Sequence, residues 1–433
     1  MKKIVYLGAG VSTEFGVLHL LKNGYNPEDI IIIDKGESIY RRKPSETMCG
    51  AGGCGTFSDY KIVKSWSQGG TFTPEYVGLE TANRLGDIFI EYVKEYHPDV
   101  DKIMHTEPTD EPQWLKESPF ELKQSPVLHL GTDYGRKQVQ NIFEYFDKLG
   151  VVQLYNTEVV DIDFNTKTII IPNDEYGTDE IQYDKLILAG GKSGVDLLDK
   201  LIKKYNLETT PRAAQIGVRY ETDGKYFDKL LDIAYDFKLY KKYNQSVSAR
   251  SFCTNSYSAF VAPELTYGNI TFNGHALKDP SRFNGLTNFG IMMEIKNGID
   301  DPFTFCKDLV SYFNNNGRGS CYSPTNRKPT QTDTGEDLPC DYVELERIKE
   351  GFGPYFTYLE DFIKDLDKTF GINGDYIIYV PEVKYLSNTL ILDKSNFTIK
   401  NYPDVHIQGD QSVSRGIWVA AISGLYVAES LLK

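Results

Sequence analysis

The chain has 433 residues, 40% hydrophobic and 25% charged, an ordinary balance for a globular protein with chain enough for two or more structural units. Its 47 Lys and Arg against 61 Asp and Glu leave a net charge of −14, which argues against tight, non-specific binding to a phosphate backbone and so disfavours nucleic acid as a partner. No apolar run approaches membrane-spanning length, and the six cysteines are scattered, with Cys49 and Cys54 lacking the spacing and the partner pair of a zinc site; no membrane span and no metal are expected, and reduced thiols are.

The first elements are the most informative. Ile4 to Leu7 is a short apolar run that suits a buried parallel strand. The chain entering a strand at once predicts no signal peptide and cytoplasmic residence. Gly8-Ala9-Gly10 then turns the chain. Val17, Leu18, Leu20 and Leu21 give the next segment the apolar face of a helix, which Gly24 closes. Ile30 to Ile33 is a second buried strand with Asp34 at its C-terminal end. Strand, glycine turn, helix, strand and acid in this order form the dinucleotide-binding fingerprint. Gly8 permits the tight turn, Gly10 lets a pyrophosphate approach, and the helix N-terminus directs unpaired N–H groups and partial positive charge at it. Asp34 is expected to accept from a ribose diol. The third fingerprint glycine is replaced by Thr13, so the helix is expected to stand slightly farther from the strand. The fingerprint alone does not choose between NAD and FAD.

Lys35 to Ser65 reads as a loop containing four glycines in six residues, Gly50, Gly52, Gly53 and Gly55. Such density suits a backbone that bends sharply or passes close to a pyrophosphate or a flat ring. Thr73-Pro74 reads as a helix start. Leu85, Ile88, Phe89, Tyr92, Val93 and Tyr96 form its apolar stripe, and His97-Pro98 ends it. Thr132 is expected to cap a further helix, with Val139, Ile142, Phe143, Phe146 and Leu149 on one face and Gly150 as its stop. His97, His105 and His129 are isolated and read as structural. Strands are expected at Val151 to Leu154, Thr157 to Phe164 and Thr168 to Ile171. Tyr183 to Gly191 reads as a buried strand ending in small residues, Ala189-Gly190-Gly191, where a cofactor can lie against the backbone.

From Arg212 to about Val380, alternating stretches such as Ile216 to Tyr220, Ser258 to Val261, Ile270 to Phe272 and Phe289 to Ile295 predict a largely antiparallel sheet. Asn314 to Glu336 reads as a long exposed loop. The C-terminus returns to nucleotide-binding chemistry. A strand at Val405 to Ile407 ends in Gly409-Asp410, and Ser414-Arg415-Gly416 opens a last helix whose small residues permit close packing. The expected fold is α/β: a Rossmann-like domain of parallel sheet and β-meander, residues 1–210 and 381–433, with a largely antiparallel α+β substrate domain at 211–380.

Three patches carry a family resemblance: GAGVSTEFG with Asp34, YDKLILAGG, and HIQGDQSVSRGIWVAAISGLYVAE. Together they resemble the two-dinucleotide-binding-domain flavoproteins of the glutathione-reductase type. Among these the resemblance is to the uncharacterised FAD-utilising dehydrogenase family. GAGGCGTFSDYK is similar to its GAGGAGxFSDGK element, LHLGTDYGRKQV to its RHIGTDxxR element, and RSFCTNSYSAFV with FNGHA to its RxFCxxPxGxVxxNGH stretch. Tyr60 replaces the glycine of SDGK, Ser256-Tyr257-Ser258 the PxG beside Cys253, and Gln411 and Ser412 small residues after Gly409-Asp410. A substrate unlike that of typical members is therefore expected.

The resemblance implies FAD as cofactor. Gly8 and Gly10 would meet its pyrophosphate and Asp34 the adenosine ribose, with Ser12, Thr13 and Lys35 also among the cofactor-binding residues. Gly52 and Gly53 would lie near the pyrophosphate or flavin, and Val159 beside the adenine. Ala189, Gly190 and Gly191 would flank the adenosine, and Gly409 and Asp410 would hold the ribityl chain. Ser414, Arg415, Gly416 and Ile417 would approach the flavin pyrimidine edge. The implied activity is that of an FAD-dependent oxidoreductase or dehydrogenase, moving a hydride between a small organic substrate and flavin N5 with NAD(P)H or O2 as redox partner. From the sheet domain, Arg250 is a candidate clamp for a carboxylate or phosphate, His275 a candidate base, Cys253 a nucleophile if its pKa is lowered, and Asn255 a neighbour worth locating. Two alternatives stand beside this reading: a flavoenzyme modifying a nucleobase or nucleic acid, and a flavin- or NAD-binding sensor or scaffold without turnover.

Overall fold

The computed structural model describes residues 2–43, 46–66, 74–173, 177–386, 388–411 and 415–433. The chain divides into two compact units, Met1–Ile103 with Tyr134–Pro211 and Leu386–Lys433, and Met104–Asp133 with Arg212–Tyr385.

The first unit is built on a six-stranded sheet in the order Thr398–Ile399, Tyr402–Ile407, Lys185–Leu188, β1 (Ile4–Leu7), β2 (Ile30–Ile33) and Val152–Leu154. Five of these strands run parallel, and only Thr398–Ile399 is antiparallel to its neighbour. The register matters for function. Leu7 lies opposite both Leu188 and Ile33, and Leu188 opposite Ile407. Segments leaving Leu7, Ile33, Leu188 and Ile407 therefore all emerge along one carboxyl edge, where open α/β sheets bind ligands.

Alternation along the strands sorts the two faces. Val5, Leu7, Ile31, Ile33, Leu186, Leu188, Val405 and Ile407 form one cluster. It includes Leu198 and Leu201 of the helix Val195–Tyr205 and Ile162 and Ile169 of a small antiparallel meander. That meander comprises Asp161–Asp163, Thr168–Asn173 and Gly177–Gln182. Elsewhere in this unit α1 (Val11–Lys22) packs on the last helix (Gly416–Leu431). Their approach requires glycine. A Cβ on Gly424 would lie 2.0 Å from the Ser12 carbonyl oxygen, and one on Gly16 3.1 Å from the Gly424 oxygen. Thr13 is fully buried, with its hydroxyl donating to the Gly8 carbonyl at 2.6 Å.

The second unit holds an eight-stranded sheet: Cys340–Tyr342, Gly319–Tyr322, Tyr376–Val383, Ala214–Asp223, Leu286–Ile295, Val247–Tyr257, Lys238–Lys242 and Glu121–Lys123. Only the pairing of Gly319–Tyr322 with Cys340–Tyr342 is parallel. A separate hairpin joins Ala259–Thr266 to Asn269–Ala276. Along Ala214–Asp223, Tyr220 stacks on Phe289 and Tyr376. Arg219 and Glu221, one position away on either side, point to the opposite face of the pleat.

Several expectations need correction. Met104–Asp133 belongs to the second unit rather than the first. Its strand Glu121–Lys123 pairs with Lys238–Lys242, an edge contact that short polar residues do not advertise. The stretch 157–160 is not strand; only Asp161–Asp163 pairs. The glycine-rich segment after β2 is not all loop, since Gly53–Ser58 is helical and Lys61–Val63 is a strand. Gly78, at φ 84°, splits one expected helix into Pro74–Val77 and Leu79–Tyr96. Thr132 begins its helix, but its buried hydroxyl has no hydrogen-bond partner among the described residues, so it is no cap. Asn314 to Glu336 contains the strand Gly319–Tyr322. Thr73 lies outside the described residues.

Candidate functional site

The first unit carries two adjoining cavities along the carboxyl edge of its parallel sheet. One, of about 240 Å³, is walled by residues that include Gly8, Asp34, Lys35, Val159, Gly190, Ser193, Asp196 and Gln411. The other, of about 120 Å³, shares Gly8, Asp34, Gly190 and Ser193 with it and continues past Gly10, Ser12, Cys49, Gly53, Ala189 and Gly191 to Asp410, Gly416, Ile417 and Ala420. The two cavities lie side by side along this edge, and together they form the groove of this unit. It is assembled from segments distant in sequence because the strand ends fall in register.

Gly8 sits at φ +110°, and its N–H donates to the Ile33 carbonyl at 2.7 Å. A Cβ there would lie 2.3 Å from the Ala189 oxygen, so no side chain fits without moving backbone. No side chain caps α1 at Gly10, which leaves the helix N-terminus to whatever lies before it. The second glycine segment crosses the first. The Gly52 N–H donates to the Ala9 carbonyl at 2.8 Å, and a Cβ on Gly53 would stand 3.0 Å from the Gly10 Cα. Gly52 itself, at φ 86°, packs against Val139. The dense glycines thus serve backbone crossing first, with Gly53 also in the groove wall.

Asp34 is the node of the site. Its Oδ2 accepts from the Ala9 N–H at 2.7 Å, and its Oδ1 from Gly36 at 2.7 Å and Gly50 at 2.8 Å. One carboxylate therefore ties the first glycine turn, its own strand end and the second glycine loop together. With about four lone-pair positions on a carboxylate, one remains for a ligand, rather than the pair expected for a ribose diol. Lys35 donates to the Ser193 carbonyl at 2.8 Å and comes 4.0 Å from Glu158.

Two further side chains support the site: Arg42, which escapes the sequence reading, and Gln411, which is read there only as a departure from a small residue. Arg42 is buried, donating to the carbonyls of Glu46, Thr47, Gly50 and Ala51 and stacking 3.6 Å over Phe57. Burial lowers its pKa to about 10. Gln411 accepts from Gly190 N–H and donates to the Gly194 carbonyl, both at 2.9 Å, so it clamps the Ala-Gly-Gly turn. An Arg in a polar stretch and a Gln where relatives carry small residues give no pattern that distinguishes them beforehand.

Asp410 differs from Asp34. Its Oδ1 is buried in the groove wall and has no hydrogen-bond partner among the described residues. The preceding Gly409, at φ +71°, lies close to the Ser12 hydroxyl and donates to Ser423 at 3.0 Å. Arg415 is the residue before the last helix. Ser414 lies outside the described residues. Cys49 and Cys54 are free thiols, and burial pushes the Cys49 thiol up. Thr13 braces the turn by its bond to the Gly8 carbonyl, and Val159 lines the groove.

The remaining candidates lie in the second unit. Arg250 is engaged with Gln215 at 3.3 Å and Glu294 at 3.9 Å, so its charge already has a counter-charge. Cys253 sits at φ 53°, in a register shift between Phe252 and Asn255. Its carbonyl accepts from Arg219 at 3.2 Å and from Asn255 at 3.0 Å. Arg219, which sequence reasoning missed, is almost wholly buried, paired with Glu382 at 3.0 Å and bonded to Asn273 at 3.3 Å. His275 is buried, stacked on Phe260, with its Nε2 3.4 Å from Asp333. Arg219 and Asn255 converge beside Gly274 and both donate to the Cys253 carbonyl, whereas Arg250 and His275 each face a separate carboxylate. Among the described residues no cluster of three or more His, Cys, Asp or Glu could hold a metal ion, and no helix is long and apolar enough to cross a membrane.

No known family model matches the chain. An uncharacterised protein of Clostridium beijerinckii is 24% identical over 300 residues, 62% of this chain; the match spans about half, 48%, of that protein. Among solved structures, a flavoprotein/dehydrogenase from Cytophaga hutchinsonii is 12% identical with a TM-score of 0.44, covering 99% of this chain and 77% of that one. Glycine oxidase from Bacillus cereus is 11% identical at 0.40, covering 100% and 95%. CtdE, solved with FAD and a substrate, is 10% identical at 0.42, covering 98% and 78%. Likeness at these values carries no argument about this chain's residues.

Proposed function

We propose that the groove of the first unit binds FAD and that the chain is an FAD-dependent oxidoreductase of the glutathione-reductase type, moving a hydride between a C–H or C–N bond of a small organic substrate and flavin N5. The observation that carries this reading is the buried Oδ1 of Asp410, which has no hydrogen-bond partner among the described residues and lies in the wall of the groove. A buried acceptor without a donor is costly unless a bound molecule supplies one, and a ribityl hydroxyl is such a donor. The groove's other end, at Asp34, Lys35 and Val159, suits an adenosine. A nicotinamide dinucleotide would use the Gly8 turn equally well; the return of the chain through Asp410 to the last helix is what favours FAD.

In this reading the uncapped N-terminus of α1 holds the pyrophosphate. Asp34 keeps the glycine turn in shape and offers one acceptor to the adenosine ribose. Gln411 fixes the Ala189-Gly190-Gly191 turn beneath the adenosine, and Met48, Ile417 and Ala420 give the far cavity apolar walls that exclude water from a ring. When bound, the flavin supplies two-electron hydride chemistry. Cys253 and His275 remain the proposed reactive side chains of the second unit. Arg219 positions the Cys253 backbone, and Arg250 has the weaker claim because Glu294 answers its charge.

The test is direct. Protein purified without added cofactor is examined for flavin absorbance, and the ligand released on denaturation is identified as FAD, FMN or neither. Anaerobic mixing with amines, amino acids, modified nucleosides and NAD(P)H then follows bleaching of the flavin bands. Bleaching by a donor supports turnover; a bound flavin that no donor reduces supports a sensor. Protein that is colourless and cannot be reconstituted with FAD contradicts the proposal.

A further inference from the structure

We propose that Cys321 and Cys340 are a peroxide-responsive pair, joined by oxidation into a reversible disulfide that fastens both ends of the segment 322–339 in the second unit. This inference does not rest on the cofactor reading.

The two cysteines lie on neighbouring strands, Gly319–Tyr322 and Cys340–Tyr342, at one edge of the eight-stranded sheet. In their parallel pairing Cys340 stands opposite Gly319, and Cys321 lies two residues farther along the same face. Gly319 offers Cys340 no side chain, and a Cβ there would fall 2.4 Å from the Phe272 ring. The Cys340 side chain meets Cys321 instead, and the two thiols are hydrogen-bond partners. Contact between the sulfurs is the first requirement of a disulfide. Both thiols are free, and both pack in one cluster with Phe272, Leu338, Ile377 and Tyr379. The backbone around them is tied as well: the Gly319 N–H donates to the Pro339 carbonyl and the Val343 N–H to the Cys321 carbonyl, each at 2.9 Å.

The pair is unequal. Cys321 is fully enclosed, whereas Cys340, on the edge strand, keeps a small exposure of 8%. The hydrogen bond from Cys321 lowers the Cys340 thiol below its ordinary range, with Arg318 acting in the same direction against burial and the charges of Asp341 and Glu221. The same bond raises the thiol of Cys321. Cys340 is therefore the sulfur that reacts first, since the thiolate is the nucleophile. It attacks one oxygen of hydrogen peroxide; the S–O bond forms, the O–O bond breaks, and the departing hydroxide leaves as water with the thiol proton. Cys321 then attacks the Cys340 sulfenic acid, forming the S–S bond and releasing the second water. The two thiols lose a pair of electrons, and one peroxide is reduced to water.

The link closes the segment between the two strands into a loop and removes freedom from its ends. That segment already meets the sheet within its length. Arg327 bridges Asp223 and Asp375, each at 2.7 Å, and the Thr330 hydroxyl donates toward Glu221 at 3.0 Å. Its Asp333 faces His275 Nε2 at 3.4 Å, so oxidation would fasten the stretch that sets this carboxylate against His275.

The reduced full chain is treated with hydrogen peroxide in its native state, alkylated under denaturing conditions, digested without reductant and read by mass spectrometry. The expected product is a peptide linking Cys321 to Cys340, lighter by a pair of hydrogens than the two reduced peptides together and lost on adding dithiothreitol. Chain denatured before the peroxide step should give that link in at least about tenfold lower yield, because the fold supplies the proximity. Cys340→Ser should leave Cys321 reduced after the same treatment. Peroxide that oxidises Cys49 or Cys253 while Cys321 and Cys340 stay reduced overturns the proposal. So does a Cys340 carried on to sulfinic acid with no link to Cys321, or a Cys321 oxidised as fully in Cys340→Ser as in the parent. If the variant does not fold, the linked peptide of the parent decides alone, and its absence overturns the proposal.

Discussion

Asp34 and Asp410 are both acids at the ends of parallel strands, and the structure uses them in opposite ways. Asp34 accepts three backbone N–H groups at 2.7–2.8 Å, so it is a strut as well as a ligand group. Asp34→Ala strands three buried donors and is expected to cost at least about 2 kcal/mol of stability in cofactor-free protein, read as a lowered melting temperature, and to lose FAD as well. Asp410→Ala removes an unpartnered oxygen. It should leave cofactor-free stability unchanged or slightly raised while weakening FAD on the order of tenfold, measured by titration of the stripped protein. Equal thermal losses in the two variants would refute the distinction. Position was legible in the sequence for both acids; partnership was not, because it depends on where Gly36 and Gly50 bring their amides. Tyr60 shows the same limit. The motif that GAGGCGTFSDYK resembles has glycine there, and the residue sits at φ 48°, a left-handed backbone that favours glycine. Tyrosine bears that strain while burying its ring completely against Gly135.

At the scale of elements, the groove depends on two helices starting beside each other. α1 and the last helix meet at Ser12 and Gly424, where a Cβ would fall 2.0 Å from a carbonyl oxygen. Gly424→Val must push the helices apart, at a cost of about 1–3 kcal/mol, and with them the two ends of the cofactor site. Reduced FAD retention alongside the lowered melting temperature is the expected pair of results; a stable variant with full retention would show that the contact is incidental. The same helix carries a second consequence. Glu14 is fully buried, has no hydrogen-bond partner for either oxygen among the described residues, and has its carboxyl pushed up by burial to about 8. An acid with a raised folded pKa contributes stability that is complete below its unfolded value and is lost as pH climbs to the folded one. Melting temperature should therefore fall between about pH 5 and about pH 8.5, and Glu14→Gln should match the parent at the lower pH and exceed it by about 2–4 kcal/mol at the higher. A Gln variant that tracks the parent throughout would place the titration elsewhere. The strands β1 and β2 and the helix between them were readable because their apolar periods and caps are local. The helix Gly53–Ser58 was not, because a segment so rich in glycine lacks intrinsic helix preference and is held by Arg42 and the crossing backbone instead.

For the whole molecule, the sequence patterns located the parallel sheet and the antiparallel one but misplaced Met104–Asp133, whose contribution is a single edge strand. The patterns also could not tell that an apparently exposed loop is fastened to Glu221, since that bond joins residues far apart in the chain. What the fold does settle is convergence. Register alone brings the ends of β1, β2, Lys185–Leu188 and Tyr402–Ile407 to one edge, and the two cavities there share Gly8, Asp34, Gly190 and Ser193 as walls. The most direct measurement is therefore the identity and stoichiometry of the molecule released from protein purified without added cofactor, or bound after reconstitution. The account predicts about one FAD per chain, held about tenfold more weakly in Asp410→Ala. Stoichiometric binding of a nicotinamide dinucleotide in its place, or no dinucleotide at all, would contradict it.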